Sequence, residues 1–171
     1  FSKLNIIFIM DNLKQQKKIV VIFPATRPSH VARLNTLAKD NDKDIIIGIE
    51  IIASGIDSSW GGIRKATLFH KYTLFYKDSC KQISNLLIWR KLQETLSNIS
   101  PDIIAIPGWS HPSSLASLDW AGSQGVPSVL LSESSSLDGN YSIVKEVVKK
   151  NIIRNFSTAL VGGTPQSEYL Q

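Results

Sequence analysis

Residues 18–52, KIVVIFPATRPSHVARLNTLAKDNDKDIIIGIEII, place two short β-branched runs on either side of a segment with helical spacing. The runs at residues 18–23 and 44–52 predict strands, and the second run is almost continuously apolar, as in a strand buried on both faces. Between them, a helix is predicted over residues 29–39, with Ser29 as its N-cap. Strand, helix and strand in this order predict a parallel βαβ unit.

The same alternation continues to the end of the chain. Further strands are predicted at residues 67–76, 102–106, 128–131 and 159–161, and further helices at residues 81–98, 142–155 and, capped by Ser113 or Ser114, up to residue 124. No internal repeat or low-complexity linker interrupts the pattern. The sequence therefore predicts one α/β domain, Rossmann-like and doubly wound, with a mainly parallel sheet and helices on both faces.

The predicted helices carry apolar stripes that we expect to be buried. The stripes include Leu34 and Leu37 in the first helix, Leu86, Leu87 and Leu92 in the second, and Val147 and Val148 in the last. In the last helix the valines oppose the basic residues Lys145, Lys149, Lys150 and Arg154. These basic residues predict a solvated helix face, and contact with an anionic membrane surface is the alternative.

Composition limits the class of protein. The chain has 171 residues, 43% of them hydrophobic and 19% charged, which is typical of one globular domain and excludes a disordered chain or a disulfide scaffold. Its single cysteine, Cys80, cannot form an internal disulfide, and no apolar run reaches the length of about 18 residues that a membrane-spanning helix needs. We therefore expect a soluble protein of the cytoplasm or of the membrane surface on its cytoplasmic side.

Metal and nucleic-acid binding are both disfavoured. The three histidines, His30, His70 and His111, and the one thiol are too widely spaced for a structural zinc site, so we expect no metal and no cofactor. The net charge of +5 favours an anionic partner, but no stripe of aromatic and basic residues indicates a nucleic acid.

Residues 1–17 form a leader, polar over residues 11–17, before the domain, which we assign to residues 18–171. The chain begins at Phe1, and its one methionine, Met10, directly precedes the polar stretch. Our hypothesis is that Met10 is the native start and that residues 1–9 are not native; an export signal is disfavoured because no small-residue cleavage site follows the short apolar run.

The carboxyl ends of parallel strands are where ligands are expected, and the first such turn is basic. Arg27, His30 and Arg33 surround a predicted helix N-terminus, whose free backbone N–H groups favour a negatively charged or oxygen-rich ligand. Arg33 is equally well explained as a solvated helix residue. Glu50 lies within an apolar run, so it requires either an ion pair or a position at the exposed strand end.

The turn after residue 106, Gly108-Trp109-Ser110-His111-Pro112, has a serine placed as in a hydrolase nucleophile elbow. Pro112 replaces the second glycine of that motif, and no histidine follows His111, so a serine hydrolase is disfavoured. Trp109 and His111 suit stacking on, and hydrogen bonding to, a sugar or base, although packing on a neighbouring loop explains Trp109 as well. The chain contains neither a Gly-x-Gly-x-x-Gly fingerprint nor a P-loop.

Hydroxyl and carboxylate side chains are dense just after residue 131. Glu133 and Asp138 lie in this segment together with the four serines of residues 132–136. This composition suits hydrogen bonding to a polyol and is equally typical of a solvent-exposed loop.

Taken in order, several of these segments resemble one family. They are residues 28–34 (PSHVARL), Glu50 with Trp60, Pro101-Asp102 before Gly108-Trp109-Ser110, Gly125-Val126-Pro127 before Ser132-Glu133-Ser134, and Val161-Gly162-Gly163 with Tyr169-Leu170. Their order and spacing resemble the N-terminal domain of group 1 glycosyltransferases, family 4, over residues 18–171. The chain departs from the family at residues 24–28, where many members have a glycine pair, and at Pro107, where many have a histidine.

The resemblance implies the GT-B fold, in which two Rossmann-like domains face a cleft. It implies that this chain is the acceptor-binding half of a retaining, metal-independent enzyme that moves a hexose from a nucleoside diphosphate sugar to a hydroxyl, and that the nucleotide-sugar domain is absent from the chain, which alone is inactive. The substrate-binding residues implied are His30, Arg33, Trp60, Trp109, Ser110, His111, Glu133 and Asp138. A non-enzymatic α/β module that binds a small anion or polyol is the alternative.

Overall fold

Six parallel strands form one central sheet. The computed structural model describes residues 16–53, 67–76, 83–132, 143–164 and 167. The strands are β1 (Lys18–Phe23), β2 (Ile45–Ala53), β3 (His70–Tyr76), β4 (Ile103–Pro107), β5 (Ser128–Ser132) and β6 (Thr158–Val161). The helices are α1 (Pro28–Asp40), α2 (Asn85–Ile99), α3 (Pro112–Gln124) and α4 (Ile143–Ile153). The predicted Rossmann-like α/β fold is confirmed.

The strand order is β3-β2-β1-β4-β5-β6, and each described pair of neighbouring strands is parallel. The chain starts at the centre of the sheet, moves outward to β3, and then returns to place β4 beside β1. The direction of winding therefore reverses between β1 and β4, which is the position where doubly wound sheets bind ligands. Val21 pairs with Ala105, so Phe23 and Pro107, each two residues further on, end the two strands at the same level.

The larger apolar core lies between the sheet and helices α2 and α3. Strand residues such as Val20 and Ile49 pack there against Leu92 and Leu96 of α2, and all four are fully buried. Trp120 of α3 joins the same cluster, and its Nε1–H donates to Ser97 Oγ of α2 at 2.9 Å. Packing and this hydrogen bond fix the two helices side by side on one face of the sheet.

The smaller core lies on the other face, beneath α1. Leu34 of α1 packs there with Phe23 and Phe69. Gly48 of β2 makes this close approach feasible, because a Cβ at this position would lie 2.8 Å from Phe69 Cε2 and 3.0 Å from Leu34 Cδ1. Since α1 covers this face and α2 with α3 the other, the predicted helices on both faces are confirmed.

The apolar stripes predicted to be buried in the first two helices include side chains that are exposed. Leu34 is buried, but Leu37 is 39% exposed, and Leu86 and Leu87 at the start of α2 are 68% and 42% exposed. The buried positions of α2 fall three or four residues apart and so form one narrow stripe, whereas Leu86 and Leu87 are two residues and one residue away from the stripe position at Ile88. Successive residues are about 100° apart on a helix and cannot share such a stripe.

The orientation predicted for the last helix was wrong. In α4, Val147 and Val148 are 56% and 47% exposed, whereas Lys149 is buried. The Lys149 ammonium lies 3.7 Å from the Glu146 carboxylate one turn earlier, so its charge is paired while its methylene chain packs against protein. Within the described residues, no helix combines the length and apolar character required to cross a membrane.

Candidate functional site

The turn from β1 to α1 is organised around the His30 ring. α1 begins at Pro28 with Arg27 as N-cap, two residues earlier than the cap predicted at Ser29. The Arg27 backbone N–H donates to His30 Nδ1 at 3.2 Å, and the imidazole stacks on the Phe23 ring with 4.4 Å between centroids and 16° between planes. A histidine three residues into the helix thus performs the capping that the arginine side chain, which has no acceptor, cannot perform.

Glu50 lies beneath this turn and is 3% exposed. One carboxylate oxygen, Oε1, accepts the Thr26 backbone N–H at 2.8 Å. The other, Oε2, accepts the Thr73 hydroxyl at 3.1 Å and lies 3.0 Å from the Lys71 ammonium. The sequence left an ion pair and an exposed strand end as alternatives for Glu50, and the structure shows the ion pair.

The turn from β4 to α3 lies beside the first turn. Gly108 has a φ of +67°, a left-handed conformation that side-chain-bearing residues rarely adopt. Its N–H donates to the Leu131 carbonyl of β5 at 2.9 Å, and the Ser114 hydroxyl donates to the Pro107 carbonyl at 2.8 Å. This turn is therefore held at both ends before it reaches α3.

His111 is the N-cap of α3. Its Nδ1 accepts the Ser113 backbone N–H at 3.2 Å and lies 2.7 Å from the Ser113 hydroxyl. Ser113 and Ser114, the residues predicted as caps, instead lie in the first turn of the helix with their side chains buried. Partial burial lowers the pKa of His111 below its usual value, so the ring is neutral at neutral pH.

The two histidines are held in the same way. Each Nδ1 is a hydrogen-bond acceptor, so the proton of the neutral ring resides on Nε2. With Nδ1 accepting a backbone N–H, the donor atom of each ring is Nε2. The arrangement therefore favours recognition of ligand oxygen atoms over general base catalysis.

Two backbone amides at the first helix N-terminus are already engaged. The Thr26 N–H is bound by Glu50, and the Arg27 N–H is bound by His30. Side chains from β2 and from the helix itself thus take two of the amides that could have faced an anion, and anion binding at this turn stays a prediction.

The remaining candidate residues are distributed unevenly. Trp109 is half-buried and Ser110 exposed on the β4–α3 turn, beside His111. Arg33 lies on the exposed side of α1, five residues and therefore about 7.5 Å along the helix axis from Pro28. Trp60, Glu133 and Asp138 lie outside the described residues, as do residues 1–9 and the leader up to residue 15.

Two residues that support the site, Phe23 and Lys71, were not identified from the sequence, and Ser113 was predicted as a helix cap and not as a partner of His111. A usable signal existed for Ser113, because it lies two residues after His111, the spacing between an N-cap and the amide that it accepts. The pairing of Lys71 with Glu50 depends on the register of two strands, which the sequence does not specify.

A cavity of about 480 Å³ lies elsewhere, between α2 and β1 to β3, and is lined by residues including Lys18, Ile45, Lys91 and Asn98. The Lys18 ammonium already donates to the Ile99 carbonyl at 2.8 Å, and Lys91 pairs with Glu94. This cavity is open, and Lys18 and Ile45 are at the amino ends of their strands, so we place the candidate site at the carboxyl ends.

Within the described ranges, no cluster of three or more histidine, cysteine or carboxylate residues could hold a metal ion. The candidate site therefore consists of the β1–α1 and β4–α3 turns, with the His30 and His111 rings, Trp109 and Ser110. We call this the switch-point crevice.

The fold of the chain is similar to that of solved sugar-nucleotide enzymes. A protein from Listeria monocytogenes assigned as a UDP-N-acetylglucosamine 2-epimerase superposes with a TM-score of 0.62 at 15% identity, over 91% of this chain and 41% of that one. The UDP-GlcNAc 2-epimerase from Neisseria meningitidis bound to UDP-GlcNAc gives a TM-score of 0.59 at 15% identity, over 90% and 42% of the two chains. The UDP-N-acetylglucosamine 2-epimerase from Rickettsia bellii gives 0.57 at 17% identity, over 91% and 41%.

These likenesses establish the fold, and the chain spans less than half the length of each of these structures. No protein-family model matches the chain, and no curated protein sequence matches it.

Proposed function

We propose that the chain is one domain of an enzyme that acts on nucleotide sugars, and more narrowly the acceptor-binding half of a glycosyltransferase that moves a hexose to a hydroxyl. The fold supports the broader proposal, because the structures it resembles include an epimerase bound to UDP-GlcNAc. The narrower proposal rests on the resemblance of the chain to group 1 glycosyltransferases, family 4, and on the chemistry of the switch-point crevice.

The single observation that carries the proposal is that two histidines on adjacent turns each accept a backbone N–H at Nδ1, His30 from Arg27 and His111 from Ser113. The ring proton then lies on Nε2, which makes Nε2 the donor atom of each ring. Two such donors suit the oxygen atoms of a sugar or another hydroxyl-bearing acceptor, and the Trp109 ring adds an apolar surface of the kind that sugars stack on. Because the Thr26 and Arg27 amides are already bound, the β1–α1 turn is less suited to a diphosphate.

The nucleotide sugar requires further structure in this proposal. We place its diphosphate in a second domain, C-terminal to residue 171, in keeping with the larger size of the structurally similar enzymes. In the reaction, the bond between the anomeric carbon and the diphosphate oxygen breaks, and the carbon bonds to the acceptor oxygen with its configuration retained. The hydroxyl proton of the acceptor passes to the departing diphosphate. This chain contributes orientation of the acceptor in a cleft from which water is excluded, and positive charge on the second domain stabilises the leaving diphosphate.

We assign the enzyme to the cytoplasm, consistent with its single cysteine. The exposed Lys150 and Arg154 at the end of α4 provide a basic surface for contact with an anionic membrane.

Epimerisation is the second candidate, because the three similar structures are UDP-sugar epimerases. The two reactions differ in products: a transferase releases UDP and glycosylates an acceptor, whereas a 2-epimerase converts UDP-GlcNAc to its epimer without an acceptor. Incubating the full-length protein with UDP-GlcNAc or UDP-glucose, with and without an extract containing acceptors, distinguishes them by chromatography.

Transfer is the expected result, and its rate should fall by at least about tenfold in His30→Ala and in His111→Ala, the equivalent of one lost hydrogen bond of about 1.4 kcal/mol. His70→Ala is the matched control, since His70 lies at the amino end of β3 and should leave the rate unchanged. Epimer formation would replace the transferase proposal, and failure to consume any sugar nucleotide would overturn both.

A further inference from the structure

Glu50 connects three strands to the switch-point crevice. Its position in β2 lies between Phe23 of β1 and Thr73 of β3 in the strand register. From there its carboxylate contacts Lys71 and Thr73 on one side and the Thr26 backbone on the other. The side chain is 4% exposed, so water does not compete for these contacts.

The contacts continue from Glu50 to His30 without interruption. The Thr26 N–H donates to Glu50 Oε1 at 2.8 Å, and the next residue, Arg27, donates its N–H to His30 Nδ1 at 3.2 Å. A second tie, from the Ile52 N–H to the Pro24 carbonyl at 3.1 Å, holds the same turn to β2. The direction of the Arg27 N–H, and with it the ring orientation of His30, therefore depends on where Glu50 holds Thr26.

Packing alone does not account for a carboxylate at this position. A buried ion pair contributes little net stability relative to apolar residues of similar size, because both charges must be desolvated. A carboxylate does provide what an apolar residue cannot, namely an acceptor for the Thr26 amide and a fixed direction for it. The positive charge on Lys71 compensates the charge of the carboxylate. Because the Lys71 side chain is 37% exposed, its ammonium loses little hydration in doing so.

We propose that Glu50 is a positioning residue: it holds the β1–α1 turn so that the His30 ring is fixed as an Nε2–H donor in the switch-point crevice. The proposal concerns how the site is built, and the part of it that concerns substrate rests on the proposed function. Lys71 and Thr73 orient the carboxylate, and Glu50 itself does not contact substrate.

The test measures the tautomer of His30 by long-range ¹H–¹⁵N NMR of the 171-residue chain. In Glu50→Ala we expect loss of the single Nε2–H signature of His30, replaced by the averaged signature of two exchanging tautomers, while His111 keeps its signature. Glu50→Gln combined with Lys71→Met retains an amide oxygen for Thr26 without an unpaired charge, and should restore the His30 signature. A wild-type signature in Glu50→Ala, or its loss in the double variant, would overturn the proposal.

Two further variants keep the test decisive. Asp102→Asn is the matched control, because Asp102 Oδ2 accepts the Lys18 backbone N–H at 2.8 Å at the opposite end of β1. It should leave His30 unchanged, and a change as large as in Glu50→Ala would mean general loosening and overturn the assignment. If Glu50→Ala does not fold, Thr26→Pro removes the N–H while leaving the Glu50–Lys71 pair, and retention of the His30 signature there would contradict the proposal.

Activity separates the proposal from the function on which it partly rests. In the full-length protein, Glu50→Ala should lower the rate of sugar transfer at least about tenfold, comparable to the loss of one hydrogen bond. An unchanged rate with an altered His30 signature would overturn the link to substrate. If the wild-type protein transfers no sugar, the proposed function fails, and the tautomer measurement still decides whether Glu50 positions His30.

Discussion

Both turns of the switch-point crevice hold a histidine whose Nδ1 accepts a backbone N–H, but different contacts hold the two rings. In the β1–α1 turn, His30 is held by contacts that span three strands, from Lys71 through Glu50 to Thr26. In the β4–α3 turn, His111 is held by its near neighbour Ser113, and the turn itself by Gly108 and short-range serine contacts. The first turn therefore depends on the register of the sheet, whereas the second depends mainly on local sequence.

Removing the charge that compensates Glu50 should have the largest effect. In Lys71→Met the buried carboxylate loses its cation, and because Lys71 is partly exposed we expect a loss of about 2 kcal/mol in the free energy of unfolding, below the range for fully buried pairs. The measurement is urea denaturation at pH 7.5.

Lys91→Met is the control for that substitution. Lys91 pairs with Glu94 at 3.3 Å on the exposed side of α2, and its loss should cost less than about 0.5 kcal/mol. If the two variants lose equal free energy of unfolding, the Glu50–Lys71 pair stabilises the fold no more than an exposed ion pair does.

The second turn should be most sensitive at its glycine. Gly108→Ala places a side chain at a φ of +67° and should destabilise the fold by about 1–2 kcal/mol through backbone strain, since a Cβ there meets no atom within 4 Å. Gly122→Ala has the same open space within α3 without a left-handed φ, and should stabilise the chain by about 0.5–1 kcal/mol. The midpoint of thermal unfolding should fall in Gly108→Ala and rise in Gly122→Ala. A shift of the midpoint in the same direction in both variants would contradict the strain argument.

Replacing each histidine by alanine compares the turns directly. Each substitution removes the acceptor at a helix N-terminus and should cost about 1 kcal/mol. His30→Ala should cost more than His111→Ala, because it also removes the stacking on Phe23. The denaturant midpoints of the two variants show which substitution destabilises the chain more. A larger loss of stability in His111→Ala than in His30→Ala would contradict this prediction.

The smallest expected effect is the dependence of stability on pH at His111. Its pKa is lowered in the folded chain, so below its ordinary value of about 6.5 the unfolded chain binds a proton that the folded chain does not. The contribution of His111 to the free energy of unfolding is therefore fully present above pH 6.5, and it decreases as the pH falls from 6.5 towards the pKa of the folded chain. His111→Asn retains a capping oxygen and does not titrate, so it should lose less stability than wild type between pH 7.5 and pH 5.5; an equal loss would exclude His111 as the source.

The difference between the turns also explains what the sequence could predict. The alternation of β-branched runs and helical segments specified the βαβ units, and the bounds of β1 and the end of α3 at residue 124 were predicted correctly. The turn residues Trp109, Ser110 and His111 are contiguous, so the second half of the crevice was visible as a motif. The Glu50–Lys71 pair joins residues that come together only once the sheet is aligned. An ion pair for Glu50 was one of two predicted alternatives, and its partner Lys71 was not predicted.

The errors in predicting which helix residues are buried also have a physical cause. Leucine and valine patterns do not specify how wide the buried stripe is, and at Leu86, Leu87, Val147 and Val148 tertiary packing left apolar side chains exposed. Lys149 shows the converse, since a long side chain buries its methylene groups when its ammonium has a partner.

The central claim is that the crevice presents two imidazole Nε2–H donors, and the tautomers of the histidines test it most directly. The chain has three histidines, so a long-range ¹H–¹⁵N spectrum at pH 7.5 contains three ring systems, with exposed His70 as internal reference. We predict that His30 and His111 each show a single Nε2–H tautomer. An Nδ1–H tautomer at either ring, or tautomer averaging like that of a solvent-exposed histidine, would contradict the account.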